Sequence, residues 1–429
     1  MPDGLTTGIH STLLRPAVLP LRQRSEVIHR VLKRRLETVL PAAMRDGGFD
    51  MWLVLCQEDD WDPIHDTFCP MEPWRPILQM LVFFDRGPQQ GVERINLSMT
   101  NMQGLYETPW QGRNCPEQWA MLRQIVEKRA PKRIGINIGR VQWAAGGLTH
   151  NLYRQLVETL PPRYVERLDS AEPMVVHWAS VLSDEEIELY EHVADVAKSL
   201  IAECYSREVI VPGVTTLEDL VWNYWQRASD LGLPMSFRPF FYRYRSDAAV
   251  AQFGPDDPML RAGDFVRCDV GIRYLRLCSD HQQWLYLLRP GERDAPAFAH
   301  ELLAEAHRLQ DVFMGEFRAG LTGNQLLTNI LARARRENIP GPKVYSHSLG
   351  QFLHQPGPLI GLPWEQERCE GRGDVVLREN SAFTMELSVE KSVPEWGKEN
   401  FRMGVEEDVL FSGGQCRLIH GRQRAFYLC

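Results

Sequence analysis

A short phrase occurs twice in the second half of this chain, and in both places it separates two helical stretches: Pro212-Gly213-Val214-Thr215 and Ala319-Gly320-Leu321-Thr322. Glycine ends a helix cheaply because it enters the left-handed region without a Cβ clash, and a threonine hydroxyl caps the helix that follows. The first helix of the first pair is expected to start at Ser183, whose spacing to Glu186 is that of a capping box, and to run to about Arg207, with a second from Leu217 to about Leu231. The later pair is expected over Ala297–Phe317 and from Gln325 to about Arg336. A strand-rich segment follows each pair. Two weakly similar halves of this kind would pack about a pseudo-twofold axis and collect side chains from both copies in a cleft on that axis. Two ordinary cap-and-turn sequences would read the same locally.

The first part of the chain has a different rhythm. A charged, helix-permissive stretch from Arg22 to Arg45 leads into the apolar run Asp50–Cys56, and further strand-like runs lie at Leu78–Phe84, Arg94–Met99 and Arg133–Ile138. Helical patterns at Pro116–Arg129 and Gly146–Leu160 lie between or after them, which describes an α/β domain. At 429 residues the chain is too long for one ordinary core. The expected division is an N-terminal α/β domain over 1–178 and an α+β domain over 179–429. The acidic loop Gln57–Asp62 reads as solvated and is assigned no role.

Composition excludes several classes. A net charge of -8 without a long basic cluster argues against nucleic acid as a partner, because phosphate must be neutralised over a defined face. The nine cysteines are scattered and never fall as C-x-x-C, so neither a disulfide framework nor a zinc knuckle is expected, and reduced thiols suit a cytoplasmic protein. No run of about 18 uncharged apolar residues is present for a membrane span. The apolar run Leu13–Leu21 is broken by Arg15, Pro16 and Pro20 and makes a poor export signal.

The chemistry-bearing residues sit in the second half. Gly263–Gly271, a turn, and Leu277–Asp280 leading into Trp284–Leu288 read as a hairpin. Antiparallel pairing would set Asp269 beside Asp280, as two carboxylates sharing cations require, although aspartate is also common at turns. Glu386 ends the apolar run Asn380–Leu387, and Glu406 lies within Gly404–Leu410. A carboxylate inside an apolar strand has to be paired or bound to a cation. Between them, Tyr345–Pro356 carries His347 and, seven residues on, His354, which suit an imidazole ligand and a hydrogen-bond donor, or two structural histidines.

The ordered set Asp, Asp, His, Glu, Glu, each in its local context, resembles the pita-bread metallopeptidase family of methionine aminopeptidase, aminopeptidase P, prolidase and creatinase. The segments that carry the resemblance are Cys268-Asp269-Val270-Gly271, Cys278-Ser279-Asp280, Ser346-His347-Ser348-Leu349-Gly350 with His354, Phe383-Thr384-Met385-Glu386, and Val405-Glu406-Glu407-Asp408-Val409. It spans about residues 183–415, and the N-terminal part resembles the domain that precedes the catalytic one in the aminopeptidase P, prolidase and creatinase branch. The resemblance implies a pita-bread fold with an internal repeat and two divalent metal ions (Mn, Co, Zn or Fe) held by Asp269, Asp280, His347, Glu386 and Glu406. It also implies bridging roles for Asp280 and Glu406, proton transfer by Glu386, and donation from His354 to the oxyanion or substrate carbonyl. The reaction implied is attack of metal-activated hydroxide on the amide carbonyl of a short peptide, in a homodimer of Xaa-Pro aminopeptidase or dipeptidase type.

Three departures bear on substrate. The branch has histidines where this chain has Gln252 and Lys343, and an arginine where it has Gly404. The usual Thr-Arg pattern after the second aspartate is replaced in His281-Gln282-Gln283-Trp284. Gln252, Lys343 and Arg402 are accordingly candidate substrate-binding groups, the last two as substitutes for missing cations. The alternatives are creatinase-like C–N hydrolysis or a lyase reaction on a small metabolite, and a binding protein without catalysis.

Overall fold

The computed structural model describes residues 17–112 and 114–429. Residues 13–16 of the Leu13–Leu21 run read against an export signal lie outside these. The described chain forms two compact units, Leu19–Glu186 and Ile187–Cys429, and the division falls in the first turn of a helix.

In the first unit, α1 (Leu21–Gly47) precedes β1 (Met51–Gln57), β2 (Leu78–Asp85), β3 (Val92–Asn96), α2 (Cys115–Arg129), β4 (Ile134–Ile136), α3 (His150–Thr159), the single turn α4 (Pro162–Val165), β5 (Leu168–Ser170) and α5 (Glu172–Ser180). The strands form one sheet in the order β3-β2-β1-β4-β5, antiparallel on one side of β1 and parallel on the other. The central strand β1 is apolar on both faces because both are covered, which is why it reads as a continuous run rather than an alternation. Met51, Leu53 and Leu55 pack with Val82, Ile134, Leu122 and Leu156 in one core. The loop Gln57–Asp62 is only partly solvated: Asp59 and Asp60 are exposed, whereas Asp62 is buried and accepts hydrogen bonds from Asn137 Nδ2 at 2.7 Å and Ile64 N at 2.9 Å.

The second unit holds α6 (Asp184–Cys204), α7 (Leu217–Asp230), β6 (Phe240–Tyr244), α8 (Asp247–Phe253), β7 (Phe265–Asp269), β8 (Arg273–Tyr274), β9 (Leu277–Cys278) and β10 (Trp284–Tyr286). After these come α9 (Ala297–Gly315), α10 (Gly323–Arg336), β11 (Lys343–Leu349), β12 (Leu359–Ile360), β13 (Ser381–Val393), β14 (Lys398–Ser412), β15 (Gln415–Leu418) and β16 (Tyr427–Leu428). One sheet has the order β16-β10-β7-β6 and the other β12-β11-β13-β14-β15.

The internal repeat is visible bond by bond. Gly213 and Gly320 have φ of 83° and 85°, each donates its N–H to a leucine carbonyl, Leu260 or Leu377, and each precedes a helix with a complete capping box, Thr216/Asp219 or Thr322/Gln325. The caps pair in isolated bridges with Met259 and Val376. The first copy carries one extra residue, so its cap is Thr216 and not Thr215 of the repeated phrase. Ser183 forms the expected box with Glu186, its Oγ accepting from Glu186 N at 3.4 Å and its N–H donating to Glu186 Oε2 at 2.8 Å. Phe265, Trp284, Phe298, Trp396, Phe401 and Phe426 form one aromatic group within the core of this unit. All nine cysteines are free thiols. No helix among the described residues is long and apolar enough to cross a membrane.

Candidate metal centre

The two sheets of the second unit meet where the backbone of Gln282 bridges that of Glu406, N to O at 3.2 Å, and the acidic side chains gather at this seam. Asp269 ends β7, and the chain returns after the small β8–β9 hairpin so that Val270 pairs with His281 and Arg267 with Trp284. The expected hairpin therefore contains a nested one, turned by Leu275 and Arg276 at φ of 50° and 69°. Gly271 permits the close return: a Cβ there would overlap the carbonyl oxygen of Ser279. Glu386 and Glu406 are direct cross-strand partners on β13 and β14, so their side chains leave one face. Tyr345 of β11 lies opposite Glu386, and His347 shares Tyr345's face two residues on.

One ligand atom each from Asp280, His347 and Glu406 lies within 4.8 Å of the other two, and the residues are 5%, 1% and 1% exposed. His347 Nδ1 is 3.2 Å from Ser348 O, an acceptor only, which assigns the proton to Nδ1 and leaves the Nε2 lone pair 3.8 Å from Asp280 Oδ2. Burial pushes the imidazole down to about 3, with His354 reinforcing the shift, so the ring is neutral as a metal ligand must be. Burial pushes the carboxyls of Asp269, Asp280, Glu386 and Glu406 up, and the negative charges of their neighbours push Asp269, Asp280 and Glu406 further. Asp280 Oδ1 and Glu406 Oε1 are buried with no hydrogen-bond partner. Crowded carboxyl groups with unsatisfied lone pairs beside a neutral imidazole form the donor set a divalent cation takes, so the residues fit a metal.

Asp269 and Glu386 flank this trio, and the carboxamide of Gln282 stands among them. Its Nε2 donates to Glu406 Oε2 at 2.7 Å and Asp269 Oδ2 at 3.3 Å, and its presence holds the Glu386 carboxyl lower than burial alone would. The His354 ring is 4.4 Å from that of His347 at 78°, and its Nε2 is 3.4 Å from the Tyr345 hydroxyl.

The model of Metallopeptidase family M24 matches residues 188–412, more than half of the chain. The chain belongs to this family. X-Pro aminopeptidase from Thermotoga maritima is similar in structure at a TM-score of 0.64 and 17% identity, over 90% of this chain and 100% of that one. Xaa-Pro dipeptidase from Bacillus anthracis gives 0.60 and 14%, over 94% and 100%, and prolidase from Pyrococcus furiosus 0.53 and 14%, over 90% and 99%. No curated protein matches the sequence significantly. The pita-bread fold of the M24 family, preceded by its α/β domain, is thus the fold of this chain.

Of the candidate substrate groups in this M24 metallopeptidase, Gln252 is exposed on α8. Lys343 opens β11, four residues and roughly 13 Å along the strand from His347. Arg402 lies on the face of β14 that carries Glu406; it donates to Ser388 Oγ at 2.8 Å, and its charge lowers the Glu386 carboxyl.

The sequence reading missed Arg267. A Cβ at Gly404 would overlap Arg267 Nη1, so a guanidinium from β7 fills the space beside the glycine. It rests on Tyr242 at 4.8 Å and Tyr244 at 5.9 Å, and its charge opposes the upward shifts of Asp269 and Glu386. Arg372 was missed too, and its charge lowers both His347 and His354. The available signal for Arg267 was its two-residue spacing from Asp269, which places both on one face of a strand.

Behind the acidic cluster, Asp408 accepts from Asp280 N at 3.3 Å, and Glu407 pairs with Lys198 at 2.5 Å and accepts from Gln423 N at 2.8 Å. The buried ring of His281 lies 3.6 Å from Glu407 and 3.5 Å from Asp408. These groups fix the backbone that carries Asp280 and Glu406.

Proposed function

We propose that this protein is a metal-dependent hydrolase of short peptides, of Xaa-Pro aminopeptidase or dipeptidase type. The observation that carries the reading is the convergence of Asp280, His347 and Glu406 from three separate segments of the chain onto one buried point. A divalent cation held there, with Glu386 completing the set, supplies Lewis acidity that makes water acidic near neutral pH and withdraws charge from a carbonyl. Glu386, raised by burial, is suited to take a proton from water at a carboxylate oxygen and to return it to the leaving amine. His354, packed on His347 at the edge of the cluster, is suited to donate to the substrate carbonyl oxygen. Arg267 and Arg402 present positive charge on the β7 and β14 side, where a substrate carboxylate would be received.

The test is hydrolysis of a di- and tripeptide library that includes Xaa-Pro members, by protein reconstituted with Mn²⁺, Co²⁺, Zn²⁺ or Fe²⁺. Cleavage that is lost on chelation and absent in Asp280→Asn is expected. A metal-loaded protein that leaves the whole library uncut would overturn the peptidase reading. The exposed Gln252 and the distant Lys343 favour, as a second reading, a small amide metabolite over a proline peptide, and a C–N hydrolase screen on the same preparations separates the two.

A further inference from the structure

We propose that this centre holds a single cation, and that the carboxamide of Gln282 takes the place of a second one between Asp269 and Glu406. The inference rests on the metal-site reading above and specifies its stoichiometry. Asp269 lies outside the trio of Asp280, His347 and Glu406, so any second ion must be shared between Asp269 and the carboxylates of that trio. Those oxygens already share a ligand: Gln282 Nε2 reaches Glu406 Oε2 at 2.7 Å and Asp269 Oδ2 at 3.3 Å.

The amide nitrogen carries two donor hydrogens and no acceptor, so it mimics a cation toward carboxylates while adding no charge. A metal bound to those oxygens at about 2.0–2.2 Å and an amide N–H bonded to the same lone pairs exclude each other. The side chain is enclosed at the seam. Gln282 is 1% exposed, and its backbone is pinned at the seam by the bridge to Glu406.

Charge balance points the same way. The four carboxylates of Asp269, Asp280, Glu386 and Glu406 are offset by one divalent ion together with the guanidiniums of Arg267 and Arg402, both of which act on this cluster. Two divalent ions plus two arginines would leave the buried cluster positively charged.

The experiment is equilibrium dialysis of the full-length protein against Mn²⁺ with elemental analysis, combined with Mn²⁺ electron paramagnetic resonance. One Mn²⁺ per chain and the six-line signal of an isolated ion are expected. Gln282→Thr and Gln282→Ala, each checked for native circular dichroism, are expected to rise to two ions per chain with an exchange-coupled spectrum. Two coupled ions in the unaltered protein would overturn the inference and leave the peptidase proposal standing. So would folded variants that stay at one ion. No bound ion in the unaltered protein would overturn both readings of the site. Peptide turnover is measured separately and decides only the proposed reaction.

Discussion

Replacing Asp269 by Asn isolates the electrostatic strain of the metal-free site. Burial, with the charge of Glu386 adding to it, pushes the Asp269 carboxyl up to about 7 from 3.8, while Arg267 pulls it down. At about 1.4 kcal/mol for each pH unit, that rise amounts to roughly 4 kcal/mol. The sign is the reverse of the usual carboxylate case. Between pH 4 and 7 the folded protein keeps a proton that the unfolded chain releases, so stability falls as pH rises through that window and the penalty is complete above it. Asn retains an oxygen that accepts from Gln282 Nε2 and removes the charge. Metal-free Asp269→Asn should therefore be more stable than the unaltered protein at pH 7.5 by up to ~4 kcal/mol, or roughly 10 °C for a unit of this size, and nearly equal at pH 4.5. Calorimetry of chelator-treated protein from pH 4.5 to 8 measures this. A metal-free variant that is less stable than the unaltered protein at pH 7.5 would refute the claim that these carboxylates are strained without a cation.

Three further outcomes are expected. His354→Ala should lower kcat by on the order of 10²-fold at unchanged metal content, because the residue is assigned to the substrate and not to the ion; metal analysis beside steady-state kinetics checks it. Gly271→Ala should cost about 1–3 kcal/mol and weaken metal binding, since its Cβ meets the Ser279 carbonyl and pries Asp280 from Asp269, as urea melts and metal titration would show. In the N-terminal unit, Arg35 is buried at 1% exposure, pairs with Glu186 at 2.6 Å, donates to the Val181 and Trp178 carbonyls and lies over the Trp178 ring. Arg35→Ala should destabilise by about 3–5 kcal/mol in denaturant melts, because it strands a buried carboxylate and two carbonyls.

Much of this architecture was legible because it is written locally. A glycine at a helix end and a capping threonine are short-range signals, and they marked both halves of the repeat at Gly213 and Gly320. Asp269, Asp280, His347, Glu386 and Glu406 could be selected because each stands in its own local context. What they touch could not be read in the same way. Gln282 reaches Glu406 and Asp269 only through a bridge between two sheets 124 residues apart in the chain, and Arg267 covers Gly404 from another strand. Neither register leaves a trace in neighbouring sequence. Lys343, proposed as a substitute cation by its place in the sequence alone, lies four residues along β11 from His347, whereas the charge bearing on Glu386 comes from Arg267 and Arg402. The acidic loop hid a buried residue for the same reason, since the partner of Asp62 is Asn137, on the far side of α2 in the sequence.

Anomalous diffraction from crystals grown with manganese or zinc at pH 7.5 tests the central claim most directly. A peak bonded to Asp280, His347 and Glu406 is the predicted result. Density in which these three side chains bind no ion at saturating metal, or in which the ion sits on other residues, would contradict it.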